Sequence, residues 1–150
     1  MQHMAKTPTF LIIGAARAGT TALYDLVRQH PGVFMSAIKE PNYFAFEGEP
    51  LDWRGPGNEF VNNSVATWQD YTALFADAPE GLARGEASPL YLWAPDAAKR
   101  IKARLPDVKM IVVLRNPIEQ AFSHYLYARA QMIEPLDDFE AALKAEPQRL

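Results

Sequence analysis

The sequence predicts an α/β fold in which a mainly parallel central sheet carries helices on both faces, giving three layers. Two apolar runs, Phe10–Gly14 and Lys109–Arg115, are short and continuous, which is typical of strands buried on both sides of a parallel sheet. A segment with helical character follows each of these runs. Because strands and helices alternate along the chain, we expect one mainly parallel sheet.

Local signals place the remaining elements. Leu23, Leu26 and Val27 fall on one face of a helix that Pro31 and Gly32 end. Asn116 suits the N-cap of another helix, and Pro117 suits its first turn. In chain order the expected elements are a helix over Thr20–His30, a strand over Val33–Ala37, a long functional loop over Lys39–Asn63, a helix over Trp68–Phe75, a strand over Leu82–Glu86, a helix over Ala94–Leu105, a helix from Pro117 to about Met132 and a helix over Asp137–Ala145.

Composition and charge exclude several kinds of site and partner. The 150 residues are enough for one domain, and 49% hydrophobic with 22% charged residues is ordinary for a globular protein. A formal net charge of −3 gives no support for a nucleic-acid or membrane-surface partner, since such partners favour a basic excess. The chain has no cysteine, which excludes disulfides and thiolate metal sites, and its three histidines lack metal-ligand spacing.

The beginning of the chain carries an expectation of its own. Residues 1–8 are predicted to be a tag remnant or a disordered start, with a native start at Met4. No apolar run approaches the ~20 residues that a membrane-spanning helix needs. We therefore expect a bacterial-type cytoplasmic location, and the sequence leaves the oligomeric state open.

The segment from Gly14 to Thr21 has the pattern of a phosphate-binding loop. Four residues separate Gly14 from Gly19 between an apolar strand and a helix. In such a loop, backbone N–H groups turn towards the anion and the new helix adds its positive end. Kinases and ATPases place Lys directly after the second glycine, whereas this chain has Thr20 there and carries its cation, Arg17, inside the loop. A plain glycine-rich turn with a surface arginine is the alternative.

A second anion site is predicted where the other apolar run ends. Enzymes that act on nucleoside triphosphates usually end a neighbouring strand with Asp to hold Mg²⁺, but this chain has Arg115, a forked cation that suits a phosphate. Ser123, in the helix that follows, is within reach of the same anion. Since the carboxyl ends of parallel strands share one edge, Arg115 and the loop should face one crevice. The alternatives are a structural ion pair for Arg115 and an ordinary polar helix residue for Ser123.

Two phosphate sites without a metal carboxylate fit a nucleotide that carries both 5′ and 3′ phosphates. Four blocks, in order, resemble the sulfotransferase family that uses 3′-phosphoadenosine 5′-phosphosulfate. Gly14–Leu23 is similar to the family's 5′-phosphosulfate loop, and Leu114–Tyr125 is similar to its 3′-phosphate motif. Lys39–Phe44 and Gly85–Tyr91 resemble two blocks of the glycosaminoglycan-type branch. The resemblance implies a P-loop-like fold.

The resemblance runs from about Phe10 to Tyr127 and departs from the family at two positions. Arg17 stands where most members carry Lys, although the tyrosylprotein branch is similar in carrying Arg. Ala87 stands where heparan-type members often carry Lys, which weakens the case for a heparan-like acceptor. Family members are usually longer, so we expect this chain to be an N-terminal portion of the full domain, and an unusually small member is the alternative.

The resemblance implies in-line transfer of a sulfuryl group to a hydroxyl or amine, with 3′-phosphoadenosine 5′-phosphate as the product. It implies that Glu40 takes the proton of the acceptor, that Arg17 neutralises the bridging oxygen, and that Lys39 assists at the sulfuryl oxygens. No metal is needed in this scheme, and the acceptor is a small molecule, a glycan or a peptide. The residues implied to bind the donor are Arg17, Ala18, Gly19, Thr20, Thr21, Arg115 and Ser123.

Two other functions remain open at this point. A P-loop kinase or nucleoside triphosphatase would need the Lys and Asp that this chain lacks. A non-catalytic module of the same fold would bind only a nucleotide or a partner chain, and the set of Arg17, Glu40, Arg115 and Ser123 argues against it. Lys39 and Glu40 are alternatively a solvated ion pair before a proline turn.

The side chains that follow Glu40 and those of the Gly85–Tyr91 block have structural and functional interpretations. The aromatic residues of the long loop either form the wall of an acceptor pocket or cover the sheet. They are Tyr43, Phe44, Phe46 and Trp53. Glu86, Ser88 and Tyr91 are expected to line or brace the cleft.

Overall fold

The computed structural model describes residues 6–148, and a parallel sheet of four strands organises them in the order β2-β3-β1-β4. Every strand pair is parallel, which confirms the predicted class. Residues 1–5 of the predicted tag or disordered start lie outside the described residues. The strands are β1 (Phe10–Gly14), β2 (Val33–Met35), β3 (Ala83–Ala87) and β4 (Lys109–Val112).

Seven helices connect or follow these strands in the described part of the chain. The predicted helices are present with ends that differ by a few residues, and α6 begins as expected, with Asn116 Oδ1 accepting a hydrogen bond from the N–H of Ile118 at 3.0 Å. The helices are α1 (Thr20–Val27), α2 (Tyr43–Phe46), α3 (Asn58–Asn62), α4 (Trp68–Ala73), α5 (Ala97–Arg104), α6 (Pro117–Ala130) and α7 (Phe139–Ala145), with 3₁₀ helices over Pro89–Leu92 and Glu146–Gln148. Within residues 6–148, no helix is long and apolar enough to cross a membrane.

The expectation of one irregular loop over Lys39–Asn63 is wrong, because α2 and α3 lie inside it. Tyr43 and Phe44 are fully buried, and their rings contact each other edge to face at 4.9 Å between centroids. Consecutive large side chains can both reach a core when the backbone turns helically, whereas extended backbone would point one of them away. Packing therefore imposes a helical turn that the Pro- and Gly-rich composition concealed.

The core lies on both faces of the sheet. Successive side chains of β1 point to opposite faces, as in any strand. Leu11 packs on one face with the aromatic cluster from α2 and α4, while Phe10 and Ile12 pack on the other face with Tyr24 of α1. Both faces are covered at β1, in agreement with the predicted three layers.

The expectation that the run Lys109–Arg115 is buried on both sides is wrong for the described residues. β4 forms one edge of the sheet and pairs only with β1. Met110 keeps 57% of its surface exposed and Leu114 keeps 75%. No element within residues 6–148 covers these side chains, so their apolar character marks a surface that this part of the chain leaves open.

A close approach between β1 and β3 depends on Gly85. A Cβ atom at this position would lie 2.1 Å from the ring of Phe10, its partner in the register of the sheet. Real side chains do not approach so closely, so Phe10 fills the volume that any residue other than glycine would need.

Gly85→Ala is expected to lower the free energy of unfolding by about 1–3 kcal/mol, because it overpacks the Phe10 ring against β3. Chemical denaturation measures the loss. The double variant Phe10→Leu/Gly85→Ala, with a smaller side chain facing the new methyl group, should lose less stability than the sum of its two single changes. Wild-type stability in Gly85→Ala would contradict the contact.

Candidate active site

The loop from Gly14 to Thr21 joins β1 to α1 at the carboxyl edge of the sheet. Gly19 is the N-cap of α1 with φ +104°, a left-handed conformation that side chains oppose. Among residues 6–148, the N–H groups of Gly19, Thr20 and Thr21 have no hydrogen-bond partner. They lie at the positive end of α1, which is the arrangement that binds an anion.

Arg17 extends from this loop to α6. Its Nε donates a hydrogen bond to Ser123 Oγ at 3.3 Å, and its guanidinium lies 5.0 Å from the centroid of the Tyr127 ring. Gln120 Nε2 donates to the carbonyl oxygen of Ala16 at 2.9 Å. The predicted residues Arg17 and Ser123 are therefore in direct contact.

Two residues of this contact, Gln120 and Tyr127, were not predicted from the sequence. Helical spacing places both on the same face of α6 as Ser123, three residues before it and four after it. Helical spacing from Ser123 is the sequence pattern from which both residues could have been predicted. The amide of Gln120 can donate a hydrogen bond to the loop, and the phenol ring of Tyr127 can pack against the guanidinium of Arg17.

Arg115 lies beside the same loop. Its Nη1 donates to the carbonyl oxygen of Arg17 at 3.5 Å, and its Nε donates to Glu119 Oε2 at 3.2 Å. The ion pair with Glu119 is exposed, and such a pair contributes only about 0–1 kcal/mol, so a phosphate can replace it. The structure thus places Arg115 next to the loop and also shows the ion pair that was the alternative.

Lys39 and Glu40 form a partly buried ion pair at the same edge of the sheet. Glu40 donates its backbone N–H to the carbonyl oxygen of Ala87 at 2.9 Å, directly after β3. No hydrogen bond or ion pair among the described residues joins this pair to Arg17. The candidate site therefore consists of two groups, Arg17–Arg115–Ser123 and Lys39–Glu40, at one edge of the sheet.

Arg17 and Glu40 share an uncommon backbone conformation. Their φ angles are 61° and 62°, in the left-handed region that non-glycine residues rarely adopt. Residues held there cost on the order of 1–3 kcal/mol each and cluster at functional sites. The two residues that the sequence singled out for charge neutralisation and proton transfer are thus both held in strained positions.

Glu86 lies fully buried behind this edge of the sheet. Its Oε1 accepts a hydrogen bond from the Tyr71 hydroxyl at 3.1 Å, and its Oε2 accepts one from Ser88 Oγ at 2.8 Å. Burial raises the pKa of Glu86 to about 7, the hydrogen bonds oppose this rise, and the negative charge of Glu40 adds to it. Glu86 and Ser88 therefore brace the cleft from inside rather than line its surface.

The aromatic residues after Glu40 divide between the core and the surface. Tyr43 and Phe44 are fully buried and cover the sheet. Phe46 and Trp53 instead line an open cavity of about 520 Å³. Trp53 is 55% exposed, and its indole N–H donates to the carbonyl oxygen of Pro56 at 3.1 Å, which fixes the ring at the rim.

Residues 6–148 contain no group of three or more His, Asp or Glu side chains that could hold a metal ion. The expectation that the reaction needs no metal stays a prediction.

Comparison with known proteins agrees with this geometry. The model described as "Sulfotransferase family" matches residues 8–148, almost the whole chain. The chain belongs to the sulfotransferase family. A crystal structure of a sulfotransferase from Alicyclobacillus acidocaldarius superposes with a TM-score of 0.84 at 35% identity, over 96% of this chain and 58% of that one.

Curated relatives of the chain include enzymes named for carbohydrate sulfation. Carbohydrate sulfotransferase 15 of Rattus norvegicus is 32% identical over 88% of this chain and 29% of its own length. Heparan sulfate glucosamine 3-O-sulfotransferase 6 of Homo sapiens is 33% identical over 79% of this chain and 30% of its own. The chain thus spans less than a third of the length of the curated relatives it matches.

The titration of Glu86 predicts how the stability of the protein depends on pH. Because the folded state raises its pKa from 4.5 to about 7, the folded protein binds the proton more tightly than the unfolded chain. Glu86 therefore contributes stability that is fully present below pH 4.5 and lost as the pH rises through about 7, a loss of about 3 kcal/mol. Denaturation at pH 5 and pH 8 should show this fall in the wild type and a smaller one in Glu86→Gln.

The exposed Glu80→Gln is the matched control, and it should keep the wild-type fall. An equal fall in the wild type and in Glu86→Gln would contradict the raised pKa.

Proposed function

We propose that the protein transfers a sulfuryl group from 3′-phosphoadenosine 5′-phosphosulfate to a hydroxyl or amine of an acceptor, most simply a carbohydrate hydroxyl. Family membership supports sulfuryl transfer, and the names of the relatives support a carbohydrate acceptor. The arrangement of cationic side chains around the loop supports this donor.

The observation that carries the proposal is the contact of the phosphate-type loop with α6. The hydrogen bond from Arg17 to Ser123 and the approach of Arg115 to the loop carbonyl bring the residues of the two proposed anion sites together. The 5′ and 3′ phosphates of such a donor belong to one ribose, so their sites must lie within a few ångströms of each other. Separate sites would suit two ligands, whereas adjoining sites suit one nucleotide with both phosphates.

The residues of the two sites fit these groups. The N–H groups of Gly19, Thr20 and Thr21 and the two threonine hydroxyls bind the 5′ end at the start of α1. The N–H of Ala18 joins them by exchanging the carbonyl oxygen of Ala15, to which it donates at 3.2 Å, for the anion. Arg115 and Ser123 bind the 3′-phosphate by charge-assisted hydrogen bonds. In this assignment the exposed Arg115 gives up its ion pair with Glu119 and binds the phosphate instead.

The transfer step then needs a base and a cation. Glu40 takes the proton of the acceptor hydroxyl while the oxygen–sulfur bond forms and the bond from sulfur to the bridging oxygen breaks. Arg17 stays protonated and offsets the charge that develops on the departing 5′-phosphate. Lys39, paired with Glu40, supplies a second cation for the sulfuryl oxygens.

The cavity beside Trp53 is where we propose that the acceptor binds. Asn62 Nδ2 donates to the carbonyl oxygen of Trp53 at 3.0 Å. Two residues further on, Ser64 Oγ accepts a hydrogen bond from Asn42 Nδ2, which also donates to the carbonyl oxygen of Glu40. This path of contacts links the backbone of Trp53 to the backbone of Glu40. The exposed indole is an apolar surface against which an acceptor can pack.

Arg115→Ala is expected to weaken binding of 3′-phosphoadenosine 5′-phosphate by about 2 kcal/mol or more, roughly 30-fold, because a charge-assisted contact is lost. Calorimetry of the full chain measures the dissociation constant. Arg28→Ala, an arginine at the far end of α1, is the control and should bind as the wild type does. An unchanged dissociation constant in Arg115→Ala would remove Arg115 from the site.

Sulfuryl transfer itself is tested by incubating the protein with the donor and a panel of glycans, with detection of the mass of one added sulfuryl group. Glu40→Gln should lower kcat by roughly 10²–10⁴-fold, because general-base catalysis is lost, while donor affinity stays near the wild-type value. The exposed Glu59→Gln should keep full activity.

Three outcomes would contradict the assignment in different ways. Full activity of Glu40→Gln would remove Glu40 as the base. Magnesium-dependent binding of ATP by calorimetry would favour a kinase or a nucleoside triphosphatase. Nucleotide binding without transfer to any acceptor would favour a non-catalytic module.

A further inference from the structure

The turn that carries Glu40 is strained and is held by its surroundings. Glu40 and Asn42 have φ angles of 62° and 52°, with the buried Pro41 between them. Asn tolerates the left-handed region because its short polar side chain bonds locally, but Glu has no such advantage. The residue before a proline is sterically restricted as well. Contacts from the rest of the protein must therefore stabilise this conformation.

A chain of hydrogen bonds runs from Glu86 to this turn. Ser88 Oγ donates its single proton to Glu86 Oε2 at 2.8 Å and accepts from the N–H of Asn42 at 3.1 Å. Asn42 Nδ2 then donates to the carbonyl oxygen of Glu40 at 2.8 Å. On the other side, the N–H of Glu40 donates to the carbonyl oxygen of Ala87, the residue between Glu86 and Ser88.

The direction of this chain depends on Glu86. Above its pKa of about 7, Glu86 is an ionised carboxylate that can only accept hydrogen bonds, so the Ser88 hydroxyl must then turn its proton towards Glu86 and its lone pairs towards Asn42. A donor at position 86 would compete with the N–H of Asn42 for the same oxygen. Glu86 thereby sets which way the Ser88 hydroxyl points, and the Ser88 hydroxyl in turn holds the backbone of Asn42.

Packing alone does not account for a carboxylate in this place. Glu86 is completely buried, and burying an ionised carboxylate costs several kcal/mol unless partners compensate. The ionisable groups that face it are Tyr71 from α4, Tyr91 from the 3₁₀ helix and Glu40 from the turn, and none of them is a cation. An uncharged acceptor would satisfy Tyr71 and Ser88 at a lower cost, so the charge points to a further role.

We propose that Glu86 is the positioning residue of the site, which holds the strained backbone of Glu40, and with it the place of its carboxylate, through Ser88 and Asn42. The role of Glu40 as the base rests on the proposed function above. The positioning itself concerns only contacts within this chain, so it can be tested without turnover.

Ser88→Ala and Tyr71→Phe form a matched pair for this test. Each removes one hydrogen bond to Glu86, and each removes a hydroxyl and nothing else of the side chain. Only Ser88 lies on the path to Asn42, whereas Tyr71 binds the other carboxylate oxygen. Ser88→Ala also removes the acceptor of the Asn42 N–H. The pair therefore tests whether the path through Ser88 holds the turn, and Glu86→Gln tests the part of Glu86 in that path.

The first readout is amide hydrogen exchange at Glu40, whose N–H bonds to Ala87 and not to either altered side chain. Relative to the amides of β1, which report global unfolding, exchange at Glu40 should become about 10-fold faster in Ser88→Ala and stay unchanged in Tyr71→Phe. Equal acceleration in both variants, or none in Ser88→Ala, would overturn the proposal.

The second readout is catalysis. Comparing Ser88→Ala with Tyr71→Phe separates an effect on the orientation of Glu40, which changes kcat, from an effect on donor binding, which changes KM. Ser88→Ala should lower kcat about 10-fold with an unchanged KM for the donor, while Tyr71→Phe should keep kcat within about 2-fold. If the exchange difference appears and the wild type transfers no sulfuryl group, the positioning stands and the proposed function fails. If transfer occurs and Ser88→Ala matches the wild type in both readouts, the positioning fails alone.

Glu86→Gln tests the charge. The amide oxygen still accepts from Ser88, but the group no longer titrates. Because the pKa of Glu86 lies at about 7, protection of the Glu40 amide in the wild type should decrease as the pH falls below that value, after correction for intrinsic exchange. The variant should show the same protection at pH 6 and pH 8. A pH dependence that persists in Glu86→Gln would overturn the role of the charge.

Discussion

The contact between the loop after β1 and the helix after β4 is the interaction on which the candidate site depends. The two segments are about a hundred residues apart in the chain, and Arg17 reaches Ser123 because β1 and β4 are neighbours in the sheet. In a parallel sheet, neighbouring strands end at the same edge, so the polar segments that follow them meet there. Gln120 and Arg115 reinforce the contact through the carbonyl oxygens of the loop.

The second constraint is the electrostatic environment of two carboxylates at the end of β3. Glu40 is partly exposed and paired with Lys39, while Glu86 is buried among hydroxyl groups without a cation. Environment thus gives two identical side chains different properties, because one is partly open to solvent and the other contacts only its buried neighbours. The burial of Glu86 opposes folding above pH 7, which is the kind of cost that functional sites retain.

The partly exposed edge strand β4 is best considered beside the greater length of the relatives. β4 carries apolar side chains that residues 6–148 leave partly exposed, from 37% at Ile111 to 57% at Met110. The chain matches 58% of the superposed bacterial sulfotransferase and under a third of the curated relatives. These relatives therefore contain a good deal of protein outside the matched region. The predicted single, incomplete domain and the cytoplasmic location stay predictions.

The sequence by itself determined the fold class and the glycine loop between β1 and α1. Continuous apolar runs specify strands of a parallel sheet, though not their burial, and Asn116 specifies a helix start, because these signals act within a few residues. The pattern from Gly14 to Thr21 likewise carries its own chemistry in glycines and a helix start. The family followed from the order of four such local blocks.

Tertiary structure decided what local signals do not contain. The exposure of β4, the helical turn at Tyr43 and the burial of Glu86 all depend on which elements lie side by side in space. The same holds for Gln120 and Tyr127, which acquire a role only when α6 packs beside the loop. A pKa raised by burial and a strained φ at Glu40 arise from the packed environment, so the position of the proposed base became clear only once the chain was folded.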